Sequence, residues 1–180
     1  HKNLNIPAGN CARYISSIGS AKDIGVTIES LEKYLLNKLK EFEGVELEKR
    51  AENLQFELQT IYLKNDKRQK NFLISEIRKI KKIIDLRKFI NAWKGYEKIK
   101  KIKGFQDYSD LNRNALLLLQ NNPDIAGNYD YTIVDEFQDT NKVQLDMLFY
   151  LARHGNITVV GDMNQSIYRF RGAYKENYNE

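Results

Sequence analysis

The chain has a single cysteine, only two prolines and no long apolar run. Cys11 alone rules out an intrachain disulfide and any cluster of thiolates with metal-ligand spacing. That scarcity fits a reducing, intracellular setting. No apolar stretch approaches the ~20 residues that span a bilayer. The N-terminal residues lack the apolar segment of a secretory signal. The expectation is a protein that is neither secreted nor inserted in a membrane. The sequence opens on His1 instead of Met, which suggests a trimmed segment or a tag remnant. Pro7 and Pro123 lie far apart, and residues 45–94 contain neither Pro nor Gly. Such a stretch suits long helices, because both residues weaken a helix interior.

What is present is a globular composition. The 180 residues are 42% hydrophobic and 29% charged, with a formal net charge of +5. A packed core follows, and wholesale disorder is excluded. The charge is unevenly spread. Between Lys64 and Lys103 there are fifteen Lys and Arg against four Asp and Glu, so the remainder is net acidic. A basic stretch of this kind, centred on Lys79, Lys81 and Lys82, can neutralise nucleic-acid phosphates. The plainer reading is a solvated face on a long helix.

Periodicity sets the elements. Residues 1–26 hold three glycines and no sustained period, which predicts loop and short helix. After Thr27, Leu31, Tyr34, Leu35, Leu39 and Phe42 recur at helical spacing, and Gly44 is a stop. Leu47, Ala51, Leu54, Leu58 and Ile61 form a second stripe. A third helical stretch runs over 67–103, with a break expected near Gly95. Leu73, Ile77, Ile80 and Ile84 start its apolar face, and Ile83, Leu86, Ile90 and Trp93 continue it. Tyr62, Phe72, Trp93 and Tyr96 read as packing residues. Asp110–Gln120 is a further helix, ended at Pro123.

The grammar then changes. Tyr131–Val134 is a short β-rich run ending in Asp135-Glu136. Asn141–Arg153 is helical and Gly155 stops it. Ile157–Val160 is a second buried-looking strand, followed by Gly161-Asp162. Strand, helix, strand with carboxylates at both strand ends is the pattern of a parallel βαβ unit. Open α/β sheets bind ligands at the carboxyl ends of their strands, and adjacent strands lie ~4.8 Å apart. Asp135, Glu136 and Asp162 can therefore serve one site. A strand-end Asp can hold Mg²⁺, and a neighbouring Glu can deprotonate an attacking water. The plainer reading makes each Asp a turn former or helix cap. Another chemistry, a two-metal nuclease built from Asp135, Glu136, Asp139 and Asp162, uses the same residue types.

The wording of the segment is more specific than its chemistry. Val134-Asp135-Glu136-Phe137-Gln138-Asp139-Thr140-Asn141 resembles motif II, the extended Walker B sequence, of UvrD/Rep-type superfamily 1 DNA helicases. The run from Val160 through Gly161-Asp162-Met163-Asn164-Gln165-Ser166-Ile167-Tyr168-Arg169-Phe170-Arg171 to Gly172-Ala173 resembles motif III of that family. Asp107-Tyr108-Ser109-Asp110-Leu111 is similar to a short acidic-aromatic signature that precedes motif II. The clear resemblance covers about 105–175.

The resemblance implies particular roles. Asp135 would bind Mg²⁺, and Glu136 would be the catalytic base. Gln165 would touch the γ-phosphate of ATP and relay its loss. Tyr168, Phe170 and Arg171 would contact single-stranded DNA, with Phe170 standing where many relatives carry Trp. The implied fold is mainly α with a small parallel α/β element. Residues 1–104 would form an inserted helical subdomain, called 1B in the family, and 105–180 part of a RecA-like ATPase domain. The implied partners are ATP, Mg²⁺ and single-stranded and duplex DNA, in the bacterial cytoplasm at the nucleoid or in a nucleus. The family's phosphate loop ending in Gly-Lys-Thr or Gly-Lys-Ser does not occur in these 180 residues. The chain by itself is thus expected to be inactive as an ATPase. It would behave as a helical DNA-binding or protein-interaction module. Ile133, Val134, Val159 and Val160 would lack part of their cover, which favours pairing of two chains through the sheet edge.

Overall fold

The computed structural model describes residues 11–62, 66–126, 128–152 and 154–165. Among them are seven α-helices: α1 (Cys11–Asp23), α2 (Ile28–Leu39), α3 (Leu47–Tyr62), α4 (Lys67–Lys103), α5 (Tyr108–Asn121), α6 (Pro123–Ala126) and α7 (Lys142–Leu151). Two strands, β1 (Thr132–Val134) and β2 (Ile157–Val159), pair in parallel. The mainly helical fold with a small parallel sheet is the one the sequence predicts. Chain contacts divide the described residues into two compact units, one of 28–95 and one of 11–27 with 96–165.

The 28–95 unit is a helical assembly built on the predicted stripes. Leu35 of α2, Leu47, Ala51, Leu54 and Ile61 of α3, and Leu73, Ile77, Ile80, Ile83, Ile84 and Ile90 of α4 form one buried cluster. Each fully buried aliphatic side chain contributes ~1.5–3 kcal/mol, so these residues hold the unit together. Trp93 is 1% exposed and meets Phe89 edge-to-face, with ring centroids 5.8 Å apart. One packing assignment fails: Phe72 is 63% exposed, and Tyr34, a member of the α2 spacing, is 55% exposed. Phe72 precedes the buried Leu73 by one residue, a step of ~100° that turns it off the core face. The Tyr62 side chain lies outside the described set.

The break expected at Gly95 does not occur, and α4 is one helix of 37 residues. A single interior Gly costs only ~1 kcal/mol relative to Ala. The buried Ala92 and Trp93 just before it outweigh that. Gly44 and Gly155 do stop helical segments, with φ of +74° and +80°. Only Gly adopts that backbone without penalty.

In the other unit α1 forms a 13-residue helix where loop and short helix were expected, and it packs on α5 and α7. The strand register pairs Thr132 with Ile157, Ile133 with Thr158 and Val134 with Val159. Ile133 is 76% exposed and Val160 56%. Parallel sheets are normally covered on both faces, so this one is open where a larger sheet would close it. No helix among the described residues is long and apolar enough to cross a membrane.

Candidate active site

Both strands end on the same side of the sheet, and two backbone bonds carry the pairing past them. Val160 N–H donates to Val134 O (2.8 Å) and Phe137 N–H donates to Val160 O (2.9 Å). Between these anchors the chain must turn within two residues. Glu136 absorbs the turn at φ 52°, ψ 41°, in the left-handed region. Among the described residues it is the one non-glycine with positive φ. Such a conformation costs ~1–3 kcal/mol and persists only where surrounding bonds impose it. Asp135 and Glu136 are both exposed at this edge, and Asp135 Oδ1 accepts the Glu136 N–H at 2.9 Å.

A 3₁₀ turn, Phe137–Asp139, follows. Phe137 is buried beneath it and anchors it. Gln138, 5% exposed, donates from Nε2 to Glu136 Oε2 (2.5 Å) and accepts the Asp162 N–H on Oε1 (2.9 Å). Asp162 in turn accepts from Asn164 N–H (2.8 Å) and from Gln165 Nε2 (3.0 Å). These bonds, the Asn164 N–H foremost, hold the Asp162 carboxyl below the usual carboxylate range. The result is a hydrogen-bonded chain Glu136–Gln138–Asp162–Gln165 across the two strand ends. Asn141 then caps α7, in a reciprocal box with Gln144.

This arrangement brings Glu136, Asp162 and Gln165 together as the sequence predicts. It gives no support to a two-metal nuclease. Among the described residues the one carboxylate group whose ligand atoms all converge within 4.8 Å is Glu97, Asp107 and Asp110, which omits all four acids of that reading. Asp135, exposed and oriented by its bond from the Glu136 N–H, is a carboxylate that could hold a single Mg²⁺, with water and phosphate oxygens supplying the rest. Tyr168, Phe170 and Arg171 lie outside the described residues.

The sequence matches the UvrD/REP helicase N-terminal domain family over residues 11–180. The chain belongs to that family. Among its relatives is the ATP-dependent DNA helicase srs2 of Schizosaccharomyces pombe, 47% identical over 75 residues, which is 41% of this chain and 8% of that protein. The exonuclease/helicase subunit RexA of Lactococcus lactis is 42% identical over 103 residues, 52% of this chain and 9% of the relative. A probable DNA helicase II homolog of Mycoplasma genitalium is 40% identical over 89 residues, 47% of this chain and 13% of the relative. The chain thus matches only about a tenth of the length of these relatives. No solved structure matches it.

In this UvrD-family chain the acidic-aromatic signature before motif II has a structural task. Asp107 caps α5 in a reciprocal box with Asp110. Both carboxylates face two buried lysines, Lys22 of α1 and Lys100 of α4, which are 4% and 7% exposed. Lys22 Nζ lies 3.0 Å from Asp107 Oδ2 and 3.0 Å from Glu97 Oε1, and it also bonds Asp110. Lys100 Nζ lies 2.9 Å from Asp107 Oδ2 and 3.0 Å from Glu97 Oε2. The ammonium groups fill the position a cation would take among the three acids. Tyr96 Oη donates to Asp107 Oδ2 at 3.0 Å, and burial together with that bond pushes its hydroxyl up to about 12. Reading by motif missed both lysines. The signal was there: Lys22 follows the buried Ile18 by four residues and Lys100 follows Trp93 by seven, so each falls on a core stripe.

Lys79, Lys81 and Lys82 are all exposed on α4, in the other unit. Lys79 pairs with Glu76 at 2.7 Å. Lys79 and Lys82 border a cavity of about 220 Å³ that Tyr34, Lys38, Glu41, Phe42, Ile83 and Leu86 complete. Basic groups beside exposed aromatic surface suit phosphate contact with stacking.

Proposed function

We propose that this chain supplies the metal-and-water part of the ATPase site of a DNA helicase, one that couples ATP hydrolysis to movement on single-stranded DNA and duplex unwinding. The observation that carries the reading is the strand-end array: Asp135 exposed and oriented, Glu136 held in a left-handed turn, and Gln165 tied to it through Gln138 and Asp162. Mg²⁺ supplies charge neutralisation on the phosphates when bound. Asp135 positions that ion, Glu136 accepts the proton of the attacking water, and Gln165 faces the γ-phosphate. Tyr168, Phe170 and Arg171 continue from that loop in sequence and would contact the DNA strand. In this reading the inserted helical subdomain corresponds to 28–95, which is narrower than the 1–104 expected. The site of action is the cytoplasm at the nucleoid, or a nucleus.

The test is ATP turnover by the full-length protein with and without single-stranded DNA. Stimulation by DNA supports the reading, and Mg²⁺-dependent DNA cleavage without ATP turnover would reverse it.

The exposed lysines give a separate expectation. Changing Lys79, Lys81 and Lys82 together to Glu should weaken DNA binding and flatten its salt dependence. Each lost phosphate contact lowers the slope of log K against log salt by roughly 0.7–0.9. An unchanged slope assigns these lysines to a solvated helix face. The open sheet edge gives another. The 180-residue chain alone should associate with rising concentration in sedimentation, through Ile133, Val159 and Val160. A monomer at all concentrations removes the sheet edge as a pairing surface.

A further inference from the structure

Gln138 links the two strand ends, and its placement is demanding. A primary amide that is 5% exposed needs partners for both ends, because each unmet polar atom costs ~1–3 kcal/mol. Its two ends bond to two different functional segments. Nε2 donates to the Glu136 side chain, and Oε1 accepts from the backbone at Asp162, the first residue of the loop that carries Gln165. Glu136 itself sits in the left-handed backbone region, a conformation that its surroundings must impose.

We propose that Gln138 is a positioning residue that aims the Glu136 carboxylate and couples it to the loop of Asp162 and Gln165. The inference rests on the reading of Glu136 as the base. A fixed amide donor on one carboxylate oxygen leaves the other oxygen to face water. The same amide reports displacement of the 162–165 loop to Glu136, because it cannot hold both bonds if that loop moves away. Gln165 is tied to Asp162 by its own side chain, so a pull on Gln165 reaches Glu136 through three hydrogen bonds. A carboxylate at 138 would keep the acceptor for Asp162 N–H and lose the donor to Glu136. A methionine would lose both.

The experiment compares Gln138→Met and Gln138→Glu in the full-length protein. It reads kcat, KM for ATP, affinity for a non-hydrolysable ATP analogue, melting temperature and hydrogen exchange at the Asp162 amide. Both variants should lower kcat by about 100-fold, the penalty typical of ~1 Å misplacement of a catalytic group. KM and analogue affinity should stay within about threefold, since neither variant touches the phosphates. Asp162 exchange should speed up in Gln138→Met and stay protected in Gln138→Glu, which separates the two ends of the amide. In a Glu136→Gln background, Gln138→Met should lower the residual rate less than about threefold, because its effect passes through Glu136. An active wild type whose Gln138 variants keep full kcat overturns this inference and leaves the ATPase reading standing. A fall in kcat that tracks loss of melting temperature and analogue affinity also overturns it, by making Gln138 a packing residue. A wild type without ATPase activity overturns the reading of Glu136 first, and this inference with it.

Discussion

Glu136→Gln in the full-length protein should abolish DNA-stimulated ATP turnover while leaving nucleotide affinity within a few-fold. The substitution is nearly isosteric. The new amide oxygen still accepts from Gln138 Nε2, so the turn at Phe137–Asp139 and the bond to Asp162 survive. What disappears is the ability to take a proton from water. A positioned general base is worth typically 10²–10⁴-fold, so a loss of at least about 100-fold is expected in kcat. On the proposed reading nucleotide contacts would reside elsewhere, in a metal held at Asp135 and in a phosphate loop of a kind that these 180 residues do not contain. For the same reason the 180-residue chain alone is a control expected to show no turnover above background. Measuring kcat and analogue binding side by side decides the matter. A variant that keeps a tenth or more of the wild-type rate removes Glu136 as the base. So does a short-chain preparation with robust, Glu136-dependent turnover.

How much of this was legible beforehand depended on the kind of signal. Helices written as apolar stripes were found close to their ends, as α3 and α4 show, although α4 runs unbroken through Gly95. The parallel pair was found because β-branched runs end in carboxylates on either side of a capped helix. Helix α1 was missed because Cys11, Ile18 and Lys22, its buried residues, include a charge, and its other positions are largely small or polar. The strand-end carboxylates proposed to act in catalysis were legible as motif. Gln138 was not, because nothing in the sequence distinguishes an amide that bridges two strand ends from one on the surface. The left-handed backbone at Glu136 was equally hidden, since it is imposed by the bonds at Val160 and Phe137 and not by a local preference of Glu. The acidic signature at Asp107–Leu111 was visible, but its partners were not, for they come from α1 and the end of α4.

Those partners give the largest expected effect on stability. Asp107→Ala should destabilise the unit of 11–27 and 96–165 by about 3–5 kcal/mol, because it leaves Lys22 and Lys100 buried with one fewer counter-charge. It also removes the α5 cap, itself worth ~1 kcal/mol. Asp107→Asn separates the two effects, since Asn caps as well as Asp but carries no charge. It should cost less than Ala by about the cap's share. Acid then provides a check of sign. The Asp107 and Asp110 carboxyls resist the rise that burial alone would cause, because hydrogen bonds from Lys100 and Lys22 hold both below the usual range, Asp107 far below it. A depressed folded-state value means that the stability is fully present above the ordinary carboxylate pKa of ~3.9 and drains away as pH falls through the folded value. Lys100 is shifted the other way: burial alone would lower it, but its bonds to Asp110, Asp107 and Glu97 raise it. Its contribution is therefore intact at every pH below the ordinary lysine value and is lost only in strong alkali. Asp23 opposes the pair, since burial raises its carboxyl and protonation there slightly favours the folded form. Hydrogen exchange of the α5 amides at pH 7 and pH 3 reads the balance locally. Wild type should lose more protection on acidification than Asp107→Asn, because acid protonates Asp107 in the unfolded state first and Asp107→Asn has no such group to titrate. Equal losses in the two proteins would show that the Lys22–Lys100–Asp107–Asp110 network contributes nothing to the fold beyond the helix cap.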